Sequence, residues 1–324
     1  MDKEIHIITG GAGFIGSYLC DRLLEKGHHV IAIDDFSLGT KENLAHIPAS
    51  AAFTLIEGDV ACAEFWKNFS ARGKIDTIWH MAANSDIAAG VSDPEVDLRK
   101  TFLTSYHTLQ AARTLGARGF ALASTSAVYG DLQTVLDEKS SPLNPISNYG
   151  AMKLASEAAA TALTSSALEK LWIFRFPNVV GSRSTHGVIH DFVKKLNRNP
   201  TRLDVLGDGT QCKPYLHVSE LINAMDFIHT HANQPINRHL IGPENGGATT
   251  VQHIAESVAA AYGGNPTIHY GAGNKGWVGD VPKFTYNVSH LAALGWRPSL
   301  SSDGAIERAV LEIVSELKTH SDTQ

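Results

Sequence analysis

Tyr149 and Lys153 stand four residues apart at the start of a helical pattern. That spacing puts a phenol and an ammonium on one helix face. A free tyrosine has a pKa of about 10 and is a poor base at neutral pH. A nearby cation favours the phenolate, so the pair can exchange a proton with an alcohol or sugar hydroxyl. Thr125, within Ser124-Thr125-Ser126-Ala127-Val128-Tyr129-Gly130, can hold the same oxygen by a hydrogen bond. Alone, Tyr-x-x-x-Lys is an ordinary surface pair. Its meaning here depends on what accompanies it.

The first companion is Thr9-Gly10-Gly11-Ala12-Gly13-Phe14-Ile15-Gly16, with the spacing Gly10-x-x-Gly13-x-x-Gly16. It follows an apolar strand pattern and opens a helical one. Glycines there permit a tight turn and let backbone N–H groups approach a pyrophosphate at a helix N-terminus. The second companion is Asp34, 18 residues beyond Gly16 at the end of the next strand pattern. An acid at that place accepts from adenosine ribose hydroxyls and repels a 2′-phosphate, which favours NAD over NADP. The competing reading is a plain strand-to-helix turn with a capping acid downstream. Asp59, in Gly58-Asp59-Val60, closes the third strand pattern, as a cap or as a partner of the adenine amino group.

These residues need a frame. Apolar β-rich runs fall at residues 5–8, 29–33, 53–56, 77–80, 120–123 and 171–175, with helical patterns between them at 18–26, 98–115 and 149–168. Continuous apolar strands separated by helices predict a parallel sheet covered on both faces, a doubly wound Rossmann-type α/β domain. The 324 residues suffice for two domains at roughly 150 residues each. We place the nucleotide-binding domain at 1–176, with 215–232 returning to it, and a smaller α/β substrate domain over 177–324. Ile306, Ala309, Val310, Ile313, Val314 and Leu317 form one apolar helical stripe near the end.

Composition excludes several functions. Charged residues number 27 basic and 33 acidic, a net −6, which argues against nucleic acid as a partner. No run reaches about 18 apolar residues, so no membrane span is expected. Cys20, Cys62 and Cys212 are odd in number and lack C-x-x-C spacing, as reduced thiols of a cytoplasmic protein would. His186 and His190 are four apart, but no acid lies between them and no third ligand is evident, so no metal is expected.

Together these segments, with His80-Met81-Ala82-Ala83, Arg175-Phe176-Pro177-Asn178-Val179-Val180-Gly181 and Gly207-Asp208-Gly209, resemble the extended short-chain dehydrogenase/reductase superfamily. Within it they resemble the NAD-dependent nucleotide-sugar epimerases and dehydratases, the UDP-glucose 4-epimerases in particular. The resemblance spans nearly the whole chain. It implies that Thr125, Tyr149 and Lys153 are catalytic. It places NAD against Gly10, Gly13, Phe14, Ile15, Gly16, Asp34, Asp59, Val60, Ala82, Ala83, Ser124, Tyr149, Lys153 and Pro177. It places a nucleotide sugar, UDP favoured, against Asn84, Ser126, Asn178, His186, Lys213 and Trp277. It also implies a homodimer paired through a four-helix bundle.

The departures are informative. Related 4,6-dehydratases carry Asp-Glu directly after the catalytic Thr, and this chain has Ser126-Ala127. Without those carboxylates the means of eliminating water is missing. Lys213 stands where relatives often have Arg and supplies charge without a bidentate fork. Trp277 replaces an Arg three residues before Asp280, and Thr101 replaces a helix Asn. The expected reaction is inversion at carbon 4 of a UDP-hexose or UDP-hexuronate through a transient 4-keto sugar. The alternatives are a 4-dehydrogenase or 4-keto reductase with net redox, or a non-catalytic NAD-binding protein.

Overall fold

Runs rich in Ile, Leu, Val and Phe form the strands of a largely buried sheet. In the computed structural model, which describes residues 4–132, 135–164, 166–273, 281 and 283–321, these are β1 (Ile5–Thr9), β2 (His29–Asp34), β3 (Phe53–Glu57), β4 (Ile75–His80), β5 (Gly119–Thr125) and β6 (Lys170–Phe176). Every residue of β1 and β4 is buried. A further strand, β7 (Ile236–Leu240), completes a seven-stranded sheet in the order β7-β6-β5-β4-β1-β2-β3. The registers from β3 across to β6 are all parallel. The order reverses between β1 and β4, and open α/β sheets bind ligands outside the carboxyl ends at such a point.

The first unit holds residues up to 130, 141–176 and 225–239. Its core joins Ile7, Ile33, Ile78, Phe120, Leu122, Leu171 and Ile173 of the sheet to Leu109, Ala112 and Ala160 of its helices. α1 (Phe14–Glu25) buries Leu19, Cys20 and Leu23, and it ends at Lys26 before Gly27, whose φ is +82°. The stretch 98–115 is not one regular helix. A π-helical segment, Leu98–Leu103, precedes α2 (Thr104–Thr114). α3 (Asn148–Thr164) carries the Tyr149–Lys153 pair.

The second unit holds residues 131–140, 177–224 and 240 onward. Here the periodicity is helical: α4 (Val188–Arg198), α6 (Val251–Tyr262) and α7 (Ser302–Ser321) pack Phe192, Val193, Ile254, Val258, Ile306, Val310 and Ile313 into one core. Short strands pair around it, including Asn178–Val180 with Tyr215–His217, in parallel. The intervening helix α5 (Val218–His231) begins in this unit, and from residue 225 its chain belongs to the first. The return thus begins ten residues later than 215 and extends through β7 to 239. Among the described residues no helix is long and apolar enough to cross a membrane.

Candidate active site

The glycine loop is built by close approach. Gly10 has φ +70°, and a Cβ on it would lie 2.8 Å from the Ala82 nitrogen where the chain leaves β4. A Cβ on Gly16 would lie 2.0 Å from the Gly10 carbonyl oxygen, so α1 closes on the loop only with glycine there. α1 starts at Gly13 without a side-chain cap and without an acid in its first turn. Its leading N–H groups, at Phe14 and Ile15, are left to an external acceptor, which suits a pyrophosphate. Asp34 is buried at the end of β2. Its Oδ2 accepts from the Ala12 amide and its Oδ1 from the Phe36 amide, each at 2.9 Å. Burial above all raises its proton affinity, opposed by those amides. It therefore braces the loop.

Lys100 links the neighbouring strand ends. Its Nζ meets Asp35 Oδ2 at 2.5 Å and Asp59 Oδ2 at 3.7 Å. Asp59 is exposed and Val60 buried. Ala82 and Ala83 lie half-buried beyond β4.

The residues expected to transfer the proton stand at the end of β5 and on α3. Thr125 Oγ1 accepts from the Ala127 amide at 3.1 Å and so starts the short 3-10 turn Ser126–Tyr129. Lys153 is 2% exposed, its Nζ donates to the Ala123 carbonyl at 2.8 Å, and it lies 5.8 Å from the Tyr149 ring centre. Burial lowers Lys153 to about 8, against Glu157 and Asp97, which raise it. Tyr149 moves the opposite way from the sequence expectation. Burial, and next the Asp97 carboxylate, push its proton affinity up, and the Thr125 hydroxyl opposes them. A desolvated phenolate beside an acid is costly, and the ammonium, held to a carbonyl, does not outweigh both. The protein alone therefore keeps Tyr149 as a phenol. A bound cationic nicotinamide would bring the missing positive charge.

Behind the pair lies a buried network that sequence reasoning did not single out. Glu157 Oε1 accepts from Ser124 Oγ at 2.5 Å and from Arg175 Nε at 2.9 Å, and its Oε2 accepts from Arg175 Nη2 at 2.6 Å. Arg175 Nη1 donates to the Tyr129 hydroxyl at 3.1 Å. The Ser124 side chain is thereby committed to the interior, which leaves only its backbone to a ligand. Glu157 follows Lys153 by one further four-residue step, a spacing that would have revealed it.

Asn84, expected to contact substrate, is instead turned into the wall. It is 4% exposed, its Nδ2 donates to the Asp86 carbonyl and to Asp97 Oδ1, both at 2.8 Å, and its Oδ1 accepts from the Asp86 amide. Thr101 Oγ1 accepts from the Asn84 amide at 3.3 Å. Ser126 is half-buried. The other expected ligand contacts belong to the second unit. Pro177 is buried and Asn178 exposed at the start of its strand. His186 is exposed beside Thr185, Lys213 is half-buried, and Trp277 lies outside the described residues. His190 turns away from His186 to Ser184 Oγ at 3.1 Å, and burial lowers it to about 4.

A sheet reversing between β1 and β4, a glycine loop on a helix N-terminus and a Thr-Tyr-Lys group at the carboxyl end define a Rossmann-type dinucleotide enzyme. The profile of the NAD dependent epimerase/dehydratase family matches residues 6–242, and the chain belongs to that family, with NAD as its cofactor. UDP-glucose 4-epimerase of Mycolicibacterium smegmatis is 29% identical over 315 residues, spanning 94% of this chain and 96% of the relative. UDP-glucuronic acid decarboxylase 1 of Arabidopsis thaliana is 29% identical over 314 residues, spanning 94% and 68%. A crystal structure of a UDP-galactose 4-epimerase matches with TM-score 0.84 and 32% identity, over 97% of this chain and 99% of that one. Nucleotide-sugar enzymes with epimerase and decarboxylase names are thus similar to it at comparable identity.

Proposed function

We propose that the protein is a UDP-hexose or UDP-hexuronate 4-epimerase. The carrying observation is the residue set at the β5 end: Thr125, Tyr149 and Lys153, followed by Ser126-Ala127 with no carboxylate. The glycine loop and Asp34 would hold NAD, which would supply a hydride acceptor and donor. Tyr149 takes the proton of the sugar 4-hydroxyl, and Thr125 steadies the same oxygen. Lys153 stays cationic and offsets the phenolate. The 4-keto sugar, trigonal at carbon 4, would turn over, the hydride would return to the opposite face of carbon 4, and Tyr149 gives the proton back to the same oxygen. No side chain at this position is equipped to pull a second proton or expel water, which separates this reading from dehydration.

A panel of UDP-, GDP-, dTDP- and CDP-hexoses and hexuronates, followed by NMR without added reductant, tests the proposal. A carbon-4 epimer formed without net NADH is expected. Carbon dioxide release, a dehydrated sugar or stoichiometric NADH would overturn it.

A homodimer belongs to the same reading. Leu98, Phe102 and Tyr106 repeat every four residues, Leu98 and Tyr106 are 43% and 42% exposed, and the stripe has the character of an unpaired helix seam. Tyr106→Glu is expected to shift the protein toward monomer in analytical ultracentrifugation.

A further inference from the structure

Asp97 is the most buried acid near the Tyr149–Lys153 pair, and its two oxygens are treated differently. It closes the four-residue helix Pro94–Asp97, directly before the π-helical segment, and is 1% exposed. Oδ1 accepts from Asn84 Nδ2 at 2.8 Å. Oδ2 is buried and has no hydrogen-bond partner among the described residues. Gly90 closes over that oxygen: a Cβ there would lie 1.8 Å from Oδ2. The Gly90 carbonyl in turn accepts from Asn148 Nδ2 at 3.0 Å, and Asn148 precedes Tyr149. An acid placed in so dry a position, with one oxygen unmatched, is retained at a cost unless its charge has a use.

We propose that Asp97 is a positioning residue whose buried carboxylate, anchored by Asn84 and sealed by Gly90, sets the pH range in which Tyr149 and Lys153 exchange protons. This rests on the reading of Tyr149 as the acid/base. The Asp97 charge acts on Tyr149 and Lys153 of α3, and Asp86, which caps the helix Ile87–Ser92, acts on Asp97. Glu157 also acts on Lys153, and burial keeps the neighbouring His80 neutral. Arg99 and Lys100 pair elsewhere, with Glu95 and Asp35. A negative charge at Asp97 disfavours phenolate and favours ammonium, so it holds both proton affinities up. That charge favours the phenol, and a bound cationic cofactor would favour the phenolate.

The test is the pH profile of turnover of the NAD-loaded enzyme for the wild type, Asp97→Asn and Tyr149→Phe. It is paired with the tyrosinate absorbance difference between wild type and Tyr149→Phe, each with and without Asp97→Asn. Removing the charge while keeping an acceptor for Asn84 is expected to move both limbs, and the tyrosinate midpoint, toward acid by about one pH unit. Gly90→Ala, which displaces the carboxylate without deleting it, is expected to give a smaller shift in the same direction. If Asp97→Asn does not fold, Asp97→Ser keeps a hydroxyl for Asn84 and removes the charge. A profile lowered in height with unmoved midpoints makes Asp97 purely structural and overturns the inference. If Tyr149→Phe is inactive but the Asp97 variants superpose on wild type, this inference alone falls. If Tyr149→Phe keeps its turnover, the acid/base reading falls and takes this inference with it.

Discussion

Near the amino ends of β1 and β4, His6 and Asp76 pack with His229 of α5 and with the ring of Trp79, which lies one residue before the end of β4. At the carboxyl end of β4, on α3 and at the end of the helix Pro94–Asp97 stand His80, Lys153, Glu157 and Asp97. Both groups are buried, yet they handle charge differently. At the amino end the rings are discharged. His6 Nδ1 accepts from Trp79 Nε1 at 3.2 Å, and His229 lies between Trp79 and Trp172, with ring centres 4.8 and 4.4 Å away. Burial lowers His6 to about 3 and His229 to about 4, and the Asp76 carboxylate is matched by Arg118. At the carboxyl end charges are kept in a dry setting. Glu157 is fully matched by Arg175, Lys153 leans on a carbonyl, and Asp97 leaves an oxygen unmatched. Packing alone favours the first solution. The second is worth its desolvation only where a proton must move.

Three experiments would break or sharpen this contrast. The largest effect is expected from Tyr149→Phe. Turnover should fall by about 100- to 10,000-fold while NAD binding, read by calorimetry, stays near wild type. Retained turnover would leave the carboxyl-end charges without a purpose. Next comes Arg175→Met, which strands Glu157 in the interior. A loss of about 3–5 kcal/mol in urea unfolding is expected. A loss under about 1 kcal/mol would mean that water or a proton already reaches Glu157. The smallest effect belongs to the amino end. His6 and His229 are neutral when folded and take a proton near pH 6.5 when unfolded. Their contribution is complete above pH 6.5 and is lost as pH falls from there toward about 3 and 4. At pH 5 the loss should be on the order of 2 kcal/mol per ring, and a His229→Phe variant should show a flatter pH dependence of unfolding. An unchanged slope would mean that the rings are hydrated or already protonated.

The glycine loop, the six central strands and the Thr-Tyr-Lys group were legible because each imposes a residue type at a fixed spacing. β7 was not. Its Ile236-Asn-Arg-His-Leu240 mixes polar and apolar residues, as an edge strand covered on one side can, and it carries no continuous apolar run. Asp97 was hidden by its neighbours. Asp93-Pro-Glu-Val-Asp97 reads as an acidic, solvated helix start, and only the packing of Gly90 and Asn84 around it reveals a buried carboxylate. The direction of the Tyr149 shift was also out of reach. Spacing shows that an ammonium is near, but not that Asp97 is near as well, nor how little water remains.

The wide turn at Leu98–Leu103 has a consequence of its own. A π-helical turn behaves as one extra residue inserted into a regular helix, and each residue of an α-helix advances the azimuth by about 100°. The segment is therefore a phase shifter. A chain one residue shorter there could keep Thr104, Ser105 and Thr108 of α2 facing inward, but it would swing Asp97 by about a quarter of a revolution, off Asn84 and out from under Gly90.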